Sequence, residues 1–204
     1  MSGVPLPPVP ARFRFASWAS FCRVAAKLRV SLWGAPPIVT IVASIDFDPV
    51  VYAHSNALLT GAPGVTPILA DIREPDKVLE LASSEAGIDF SQPVAILIVG
   101  VLHFVMDGEQ PFDAVARLRE AMAPGSLLVI QHASINTHPF FKNAASVHAT
   151  NSPSQPDFRP PERVREFFDG LELLPPGLVP ANEWLAGNLS STSLVVLCGI
   201  GRKN

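Results

Sequence analysis

The sequence of 204 residues is poor in cysteine and in long apolar runs. Its two cysteines, Cys22 and Cys198, are too few for a disulfide framework or a cysteine-rich metal site, and we interpret them as ordinary thiols. The five histidines lack the spacing of metal ligands, so we predict no metal site. The longest apolar stretch, from Pro93 to Met106, is shorter than the roughly 20 residues that a membrane-spanning helix needs.

The chain is also poor in charge. Charged residues make up 16% of it, against 48% apolar residues, which excludes a disordered tail protein and favours one domain with a sizeable core. The formal net charge of −3 argues against binding that depends on nucleic acid phosphates. Because the sequence has no convincing secretory signal or anchor, we expect a cytoplasmic protein that binds neither nucleic acid nor a membrane. The sequence leaves the oligomeric state open.

Acidic residues are missing from the first 45 positions, although the whole chain has 18 of them. This stretch carries a net charge of +5, against −8 for the remainder, and has prolines at positions 5, 7, 8 and 10. Three interpretations are open: a targeting peptide, a divergent first part of the domain, or residues that result from an altered reading frame or gene model. We therefore divide the chain into an atypical basic segment, 1–37, and a domain over 38–204.

From residue 38 onward, short apolar runs alternate with helical patterns. This alternation predicts an α/β fold, with a parallel sheet and helices on both faces. One helix begins at Asp48, as its N-cap, and Pro49, and ends near Gly61. The region 135–161 is polar and irregular. The predicted strands are 38–45, 65–70, 94–101, 126–131, 171–180 and 193–199, and the other predicted helices are 74–84, 112–122 and 162–168.

Two carboxylates follow neighbouring predicted strands, Asp46 after the first and Asp71 after the second. Parallel α/β sheets bind ligands beyond the carboxyl ends of their strands. A carboxylate there can accept hydrogen bonds from both hydroxyls of a ribose, or from an exocyclic amine such as that of adenine. Either residue alone is more simply an N-cap or a loop carboxylate. Together they favour a ligand that contains a nucleoside.

Several motifs occur in an order that is typical of one family. With them the sequence resembles class I S-adenosylmethionine-dependent methyltransferases and, more narrowly, a bacterial S-adenosyl methyltransferase family once classed as a domain of unknown function. The resemblance covers residues 41–203. The motifs are Ile45-Asp46-Phe47-Asp48-Pro49, the following 53–59 (AHSNALL), Ala70-Asp71-Ile72-Arg73, Leu102-His103-Phe104-Val105, 117–126 (RLREAMAPGS), and 167–180 with Trp184.

The resemblance implies a Rossmann-like sheet, S-adenosylmethionine as the cofactor, and methyl transfer to a small-molecule acceptor. It also implies that His103 faces the acceptor, as a weak candidate for a catalytic residue, because a lone histidine is more often structural. The acceptor pocket would be built by the region 135–161 and Trp184. The implied cofactor-binding residues are Asp46 at the ribose, Phe47 beside the adenine, Asp71 and Ile72 at the base, and Gly100 and Val101 at the methionine part.

The amino-terminal segment departs from the family, which begins with a strand that ends in an acid and a glycine-rich turn. Here only Gly3 and Gly34 precede Asp46. A first strand at 12–15 would place Trp18 where glycine is needed, and one at 30–33 leaves too short a crossover to the strand at 38. We expect the first strand and glycine loop to be missing or altered, and residues 1–35 to be poorly fitted to the sheet. An inactive homologue with weak or no cofactor binding is therefore the alternative to an active methyltransferase.

Overall fold

The computed structural model describes residues 41–59, 61–134, 156–184 and 195–204, and the backbone of residues 21–25. In this part of the chain, eight strands form one mixed sheet, accompanied by five helices and two 3-10 turns. The strands are β1 (Phe21–Ala25), β2 (Val42–Asp46), β3 (Val65–Leu69), β4 (Ala95–Val99), β5 (Leu127–Ala133), β6 (Glu172–Leu173), β7 (Val179–Pro180) and β8 (Val196–Arg202). The helices are α1 (Pro49–Leu59), α2 (Pro75–Ser84), α3 (Pro111–Ala121), α4 (Pro161–Glu166) and α5 (Ala181–Trp184), and the 3-10 turns are Leu102–Phe104 and Asp107–Glu109.

The strands lie in the order β3-β2-β1-β4-β5-β8-β6, and β7 also pairs with β8. The pairs β2–β3 and β4–β5 are parallel, as predicted. In contrast, β1 is antiparallel to both of its neighbours, and β8 is antiparallel to β5, β6 and β7. The sheet is therefore mixed, with the predicted parallel pairs flanked by antiparallel strands that the sequence did not indicate. Apolar runs indicate which residues form buried strands, but they are equally apolar in strands of either direction.

The strand β1 lies in the middle of the sheet, where its Cys22 pairs with Ile45 on one side and Ile98 on the other. The expectation of an altered first strand is confirmed, because this strand runs against its neighbours. The expectation that residues 1–35 are not fitted to the sheet is wrong for 21–25. The alternative first strands, 12–15 and 30–33, and the turn at 16–20 lie outside the described residues.

The helix α1 begins as predicted. Oδ1 of Asp48 accepts a hydrogen bond from the backbone N–H of Val50 at 2.7 Å, which is the contact of an N-cap, and Pro49 is the first helical residue. None of its residues is buried, and Val50 and Leu58 are 63% and 82% exposed. The helix therefore lies beside β2 and β3 without adding buried side chains to the hydrophobic core.

The hydrophobic core lies between the sheet and the amphipathic helices α2, α3 and α4. The helices α2 and α3 each bury an apolar stripe, whereas the short α4 buries Val164, and such burial contributes about 1.5–3 kcal/mol per large side chain. The helices begin and end within about two residues of their predicted bounds, whereas the predicted strand 171–180 is two short strands, β6 and β7. Buried residues of the core include Ile45, Ile68, Val78, Ile96, Ile98, Val115, Leu118, Leu128, Ile130, Val164 and Phe167.

Candidate functional site

The carboxyl ends of β2, β3 and β4 lie at one edge of the sheet. β2 and β3 are parallel, and β2 and β4 are both antiparallel to β1, so all three strands run in the same direction. The register places Asp46 level with Val99, on opposite sides of Phe21. Since neighbouring strands are about 4.8 Å apart, the backbones of Asp46 and Val99 are separated by about 10 Å. Asp71 follows β3 and Gly100 follows β4, so these residues reach the same edge.

Asp46 is the last residue of β2 and is only 8% exposed. Its Oδ1 accepts a hydrogen bond from the backbone N–H of Asp48 at 2.9 Å, whereas its buried Oδ2 has no hydrogen-bond partner among the described residues. Burial raises the pKa of Asp46, and the hydrogen bonds from the N–H groups of Asp48 and Phe47 oppose this rise. An acceptor that is buried without a partner is costly. A ligand hydroxyl would therefore find a strong acceptor here.

Phe47 and Arg73 lie beside this carboxylate. The Phe47 side chain is exposed, although it is large and apolar, and the guanidinium carbon of Arg73 lies 5.8 Å from the centroid of its ring. A guanidinium above an aromatic face is attracted by the ring. The exposed ring can therefore stack against a flat group of a ligand at this edge of the sheet.

Asp71 is already paired in this structure. Its carboxylate accepts hydrogen bonds from the backbone N–H and from the guanidinium of Arg73, and Arg73 also pairs with Glu109. Burial alone would raise the pKa of Asp71, but the hydrogen bonds and charge of Arg73 hold this pKa below its ordinary value. The next residue, Ile72, has its side chain in the hydrophobic core. Only the backbone of Ile72 is therefore suited to contact a ligand.

Gly100 turns the chain out of β4 with a φ of +70°, which is a left-handed conformation that favours glycine. Its N–H donates to the backbone oxygen of Gln131 in β5, at 3.3 Å. Among the described residues, no heavy atom lies within 4 Å of the position that a Cβ would take. Val101 follows, partly buried against the core, and precedes the first 3-10 turn. The backbone at Gly100 is therefore open to close approach.

A buried arginine, Arg159, holds the loop that follows β4. It is 2% exposed, and its guanidinium donates to the backbone oxygens of Leu102 and Val105, at 2.8 and 2.7 Å. Nε and Nη2 also contact Oδ1 of Asp107 at 3.0 and 2.8 Å, and Nη2 lies 3.1 Å from Oδ2 of Asp157. Sequence reasoning missed Arg159, because it belongs to the polar region 135–161 and no pattern there indicates a buried residue.

Two histidines, the buried His132 and the partly buried His103, lie beside Arg159. Nδ1 of His132 lies 2.7 Å from the backbone oxygen of Ala133, and Nε2 lies 3.1 Å from Nη1 of Arg159. Because arginine only donates, Nε2 accepts and Nδ1 carries the proton. The ring centroid of His103 is 5.6 Å from that of His132, and its buried Nδ1 has no partner among the described residues. Burial, followed by the nearby charge of Arg159, lowers the pKa of His103 to about 4. His103 is therefore neutral at pH 7.

The residues expected in an acceptor pocket are only partly described, because 135–155 lie outside the described residues. Trp184 is described, and its indole Nε1 donates to the backbone oxygen of Cys198 at 2.9 Å, which ties α5 to β8. Across the described ranges, no group of three or more His, Cys, Asp or Glu side chains could hold a metal ion. Within the same ranges, no helix has the length and apolar character needed to cross a membrane.

Comparisons with known proteins agree on one family. A family model described as S-adenosyl methyltransferase matches residues 35–204. Among solved structures, a candidate methyltransferase from Thermobifida fusca YX is 30% identical, with a TM-score of 0.71 over 84% of this chain and 70% of that one. A protein of family 574 of the domains of unknown function, from Streptomyces avermitilis MA-4680, is 26% identical, with a TM-score of 0.73 over 81% of this chain and 66% of that one.

A more distant structure shares the fold. A SAM-dependent methyltransferase from Anabaena variabilis ATCC 29413 is 14% identical, with a TM-score of 0.56 over 80% of this chain and 68% of that one. A search of curated proteins found no match. The expected Rossmann-like methyltransferase fold is thereby confirmed.

Proposed function

Because the chain belongs to the S-adenosyl methyltransferase family, whose cofactor is S-adenosylmethionine, we propose that it binds this cofactor at the carboxyl edge of β2, β3 and β4 and methylates a small molecule. The observation that carries the proposal is the buried Oδ2 of Asp46, which ends β2 without a partner among the described residues. A ribose hydroxyl supplies the donor that this oxygen lacks. The residues present therefore fit the nucleoside part of the cofactor.

The base of the cofactor would lie beside Phe47, whose exposed ring offers an apolar face. Asp71 and the backbone of Ile72 are the polar groups next to this face, and the carboxylate would accept from the exocyclic amine of adenine. This amine would compete with Arg73, because Arg73 pairs with the same carboxylate in the structure. Phe47 provides the stacking surface, and Asp71 provides the selectivity for the base.

The reacting part of the cofactor would lie toward Gly100 and Val101, where the open backbone at Gly100 permits close contact. When bound, S-adenosylmethionine supplies an electrophilic methyl group on its sulfonium. The protein's task is then chiefly to hold the acceptor in line with that group. His103 lies in the 3-10 turn that follows Val101. Its neutral imidazole can accept a hydrogen bond from an N–H or O–H group of the molecule that is methylated.

We place the acceptor on the side of β5, near the region 135–161 and Trp184. A small molecule is favoured over nucleic acid, because the chain has a net charge of −3 and its basic residues are outnumbered by acidic ones beyond residue 45.

An inactive homologue is the second candidate. The direction of β1 favours it. This strand begins at the edge of the sheet where β2 ends with Asp46, so it cannot lead into a turn at that edge. Only Gly3 and Gly34 precede Asp46, so the amino-terminal segment also lacks a glycine-rich stretch. Such a protein would keep the fold and bind the cofactor weakly or not at all.

Titration calorimetry with S-adenosylhomocysteine separates the two candidates. The wild-type protein should bind this product of the reaction, and Asp46→Asn should weaken the binding at least about tenfold, since hydrogen bonds to a charged group contribute about 1.5–3 kcal/mol. The exposed Asp76→Asn serves as the control and should leave the affinity unchanged. Absence of binding by the wild type at millimolar ligand favours the inactive homologue. Equal binding by wild type and Asp46→Asn would show that Asp46 is not the ribose ligand.

A further inference from the structure

The guanidinium of Arg73 pairs with two carboxylates from separate parts of the chain. Nη2 lies 2.5 Å from Oδ2 of Asp71, and Nη1 donates to Oε1 of Glu109. Asp71 follows β3, whereas Glu109 ends the second 3-10 turn in the loop after β4. The strands β2 and β1 separate β3 from β4 in the sheet. Arg73 thus joins two loops at the edge where the nucleoside is expected.

Arg73 engages both carboxylate oxygens of Asp71. Oδ1 accepts from the backbone N–H and from Nε, at 2.9 and 3.0 Å. Oδ2 accepts from the same Nε–H and from Nη2, at 2.9 and 2.5 Å. These three N–H groups occupy three of the about four acceptor positions of a carboxylate. The guanidinium of Arg73 therefore competes with an exocyclic amine for Asp71.

The space beside Phe47 leads to the same conclusion. The guanidinium carbon of Arg73 lies 5.8 Å from the centroid of the Phe47 ring. A flat base between the two groups would need two stacking contacts of about 3.5 Å, or about 7 Å in total. The observed gap is too narrow, so a base that stacks on the face of Phe47 that Arg73 covers requires Arg73 to move.

Building on the proposed function, we propose that Arg73 competes with adenine for Asp71 and leaves Asp71 for Glu109 when the adenosine part of the cofactor binds. Glu109 is held for this role, because its Oε2 accepts from the backbone N–H of Met106 at 2.8 Å. Arg73 keeps one carboxylate partner in the exchange, and the amine of adenine takes the place of the guanidinium at Asp71. A base with an oxygen in place of that amine gives Asp71 no donor at this position. Asp71 therefore favours adenine over hypoxanthine, whether Arg73 is present or not.

Calorimetric binding of S-adenosylhomocysteine and S-inosylhomocysteine tests this exchange, with variants first shown to be folded by their thermal transitions. Arg73→Met removes the competitor for Asp71 and should tighten the binding of S-adenosylhomocysteine about three- to fivefold, the scale of an exposed ion pair. Glu109→Gln removes the alternative partner and should weaken it to a similar extent. The control is Arg117→Met, since Arg117 forms an exposed pair with Asp76 at 2.7 Å outside the proposed site.

The outcomes separate this proposal from the proposed function. The expected pattern, with the adenine derivative preferred by every variant, supports the exchange. If Arg73→Met binds S-adenosylhomocysteine equally or more weakly than the wild type, or loses the preference for adenine, the exchange is overturned while cofactor binding stands. If neither the wild type nor Arg73→Met binds at millimolar ligand, both proposals fall.

Discussion

Nη1 of Arg159 lies 3.1 Å from Nε2 of His132, and both side chains are almost completely buried. A cation in such a place needs acceptors on every side, because burial removes its hydration. The backbone oxygens of Leu102 and Val105 supply two of them. The loop after β4, which includes His103, is therefore fixed to β5 through one guanidinium.

Replacing Arg159 should destabilise the protein strongly. In Arg159→Met the backbone oxygens of Leu102 and Val105 lose their donor, and each unsatisfied buried acceptor costs about 1–3 kcal/mol. We expect the free energy of unfolding, measured in urea, to fall by about 2–4 kcal/mol. The control is Arg165, which is exposed on the helix α4 that follows Arg159, and Arg165→Met should change the free energy of unfolding by less than about 0.5 kcal/mol. Equal effects of the two substitutions would contradict the role assigned to Arg159.

Stability should fall as the pH decreases from 7 to 5. Burial is the main cause that lowers the pKa of His132 to about 3, and that of His103 to about 4, whereas both side chains titrate near 6.5 when unfolded. The unfolded chain then binds more protons in this range, so the stability is complete above about pH 6.5 and is lost as the pH falls toward 4. Each histidine should contribute about 1–2 kcal/mol of this loss by pH 5.

The contribution of His132 can be isolated by substitution. His132→Asn should give a shallower dependence of the unfolding free energy on pH between 7 and 5, whatever its absolute stability. The exposed His54 is a suitable control, and His54→Asn should keep the slope of the wild type. A slope that is identical in all three proteins would show that His132 is not held neutral by the fold.

Gly201 lies in β8 under the side chains of Phe168 and Leu171. A Cβ at this position would meet Phe168 Cδ1 and Leu171 Cδ1 at 2.9 Å each, which is closer than packed atoms tolerate. Overpacking of this kind costs about 1–3 kcal/mol, so Gly201→Ala should lower the urea midpoint accordingly. At Gly108 no atom of the part of the chain that the structure describes lies within 4 Å of such a Cβ, and Gly108→Ala should leave the midpoint nearly unchanged.

Gly100 differs from Gly201, because its constraint lies in the backbone rather than in its neighbours. Its φ is +70°, and no described atom lies within 4 Å of an added Cβ. Gly100→Ala should cost about 1–2 kcal/mol through left-handed strain alone. Asparagine tolerates this conformation better, so Gly100→Asn should recover part of the loss in the same thermal or urea measurement. A Gly100→Asn variant less stable than Gly100→Ala would indicate that space, rather than φ, sets the limit.

The sequence predicted the elements well where local chemistry decides them. The Asp48-Pro49 pair marks the beginning of α1, and the apolar runs locate β2, β3, β4 and β5. The same patterns predicted that Asp46 and Asp71 follow neighbouring strands, since a carboxylate after a buried run marks where that run ends. These features depend on residues close in sequence, and therefore they are visible without a structure.

Features that depend on distant parts of the chain were not predicted. The direction of β1 and β8 is set by which strands they join, and an apolar run looks the same in either direction. Arg159 is buried by contacts with residues more than 50 positions away, such as Leu102. The pair between Asp71 and Arg73 is local, and an arginine two residues after an aspartate could have indicated it.

The direction of β8 also determines how the protein can be attached to a surface. Arg202 pairs with Leu127, at the beginning of β5, so the chain leaves the sheet at the edge opposite to Asp46. A carboxy-terminal affinity tag would therefore tether the molecule with its ligand-binding edge facing the solvent. Immobilised in this orientation on a biosensor chip, the wild type and its variants can be compared for ligand binding without the linker crossing the site.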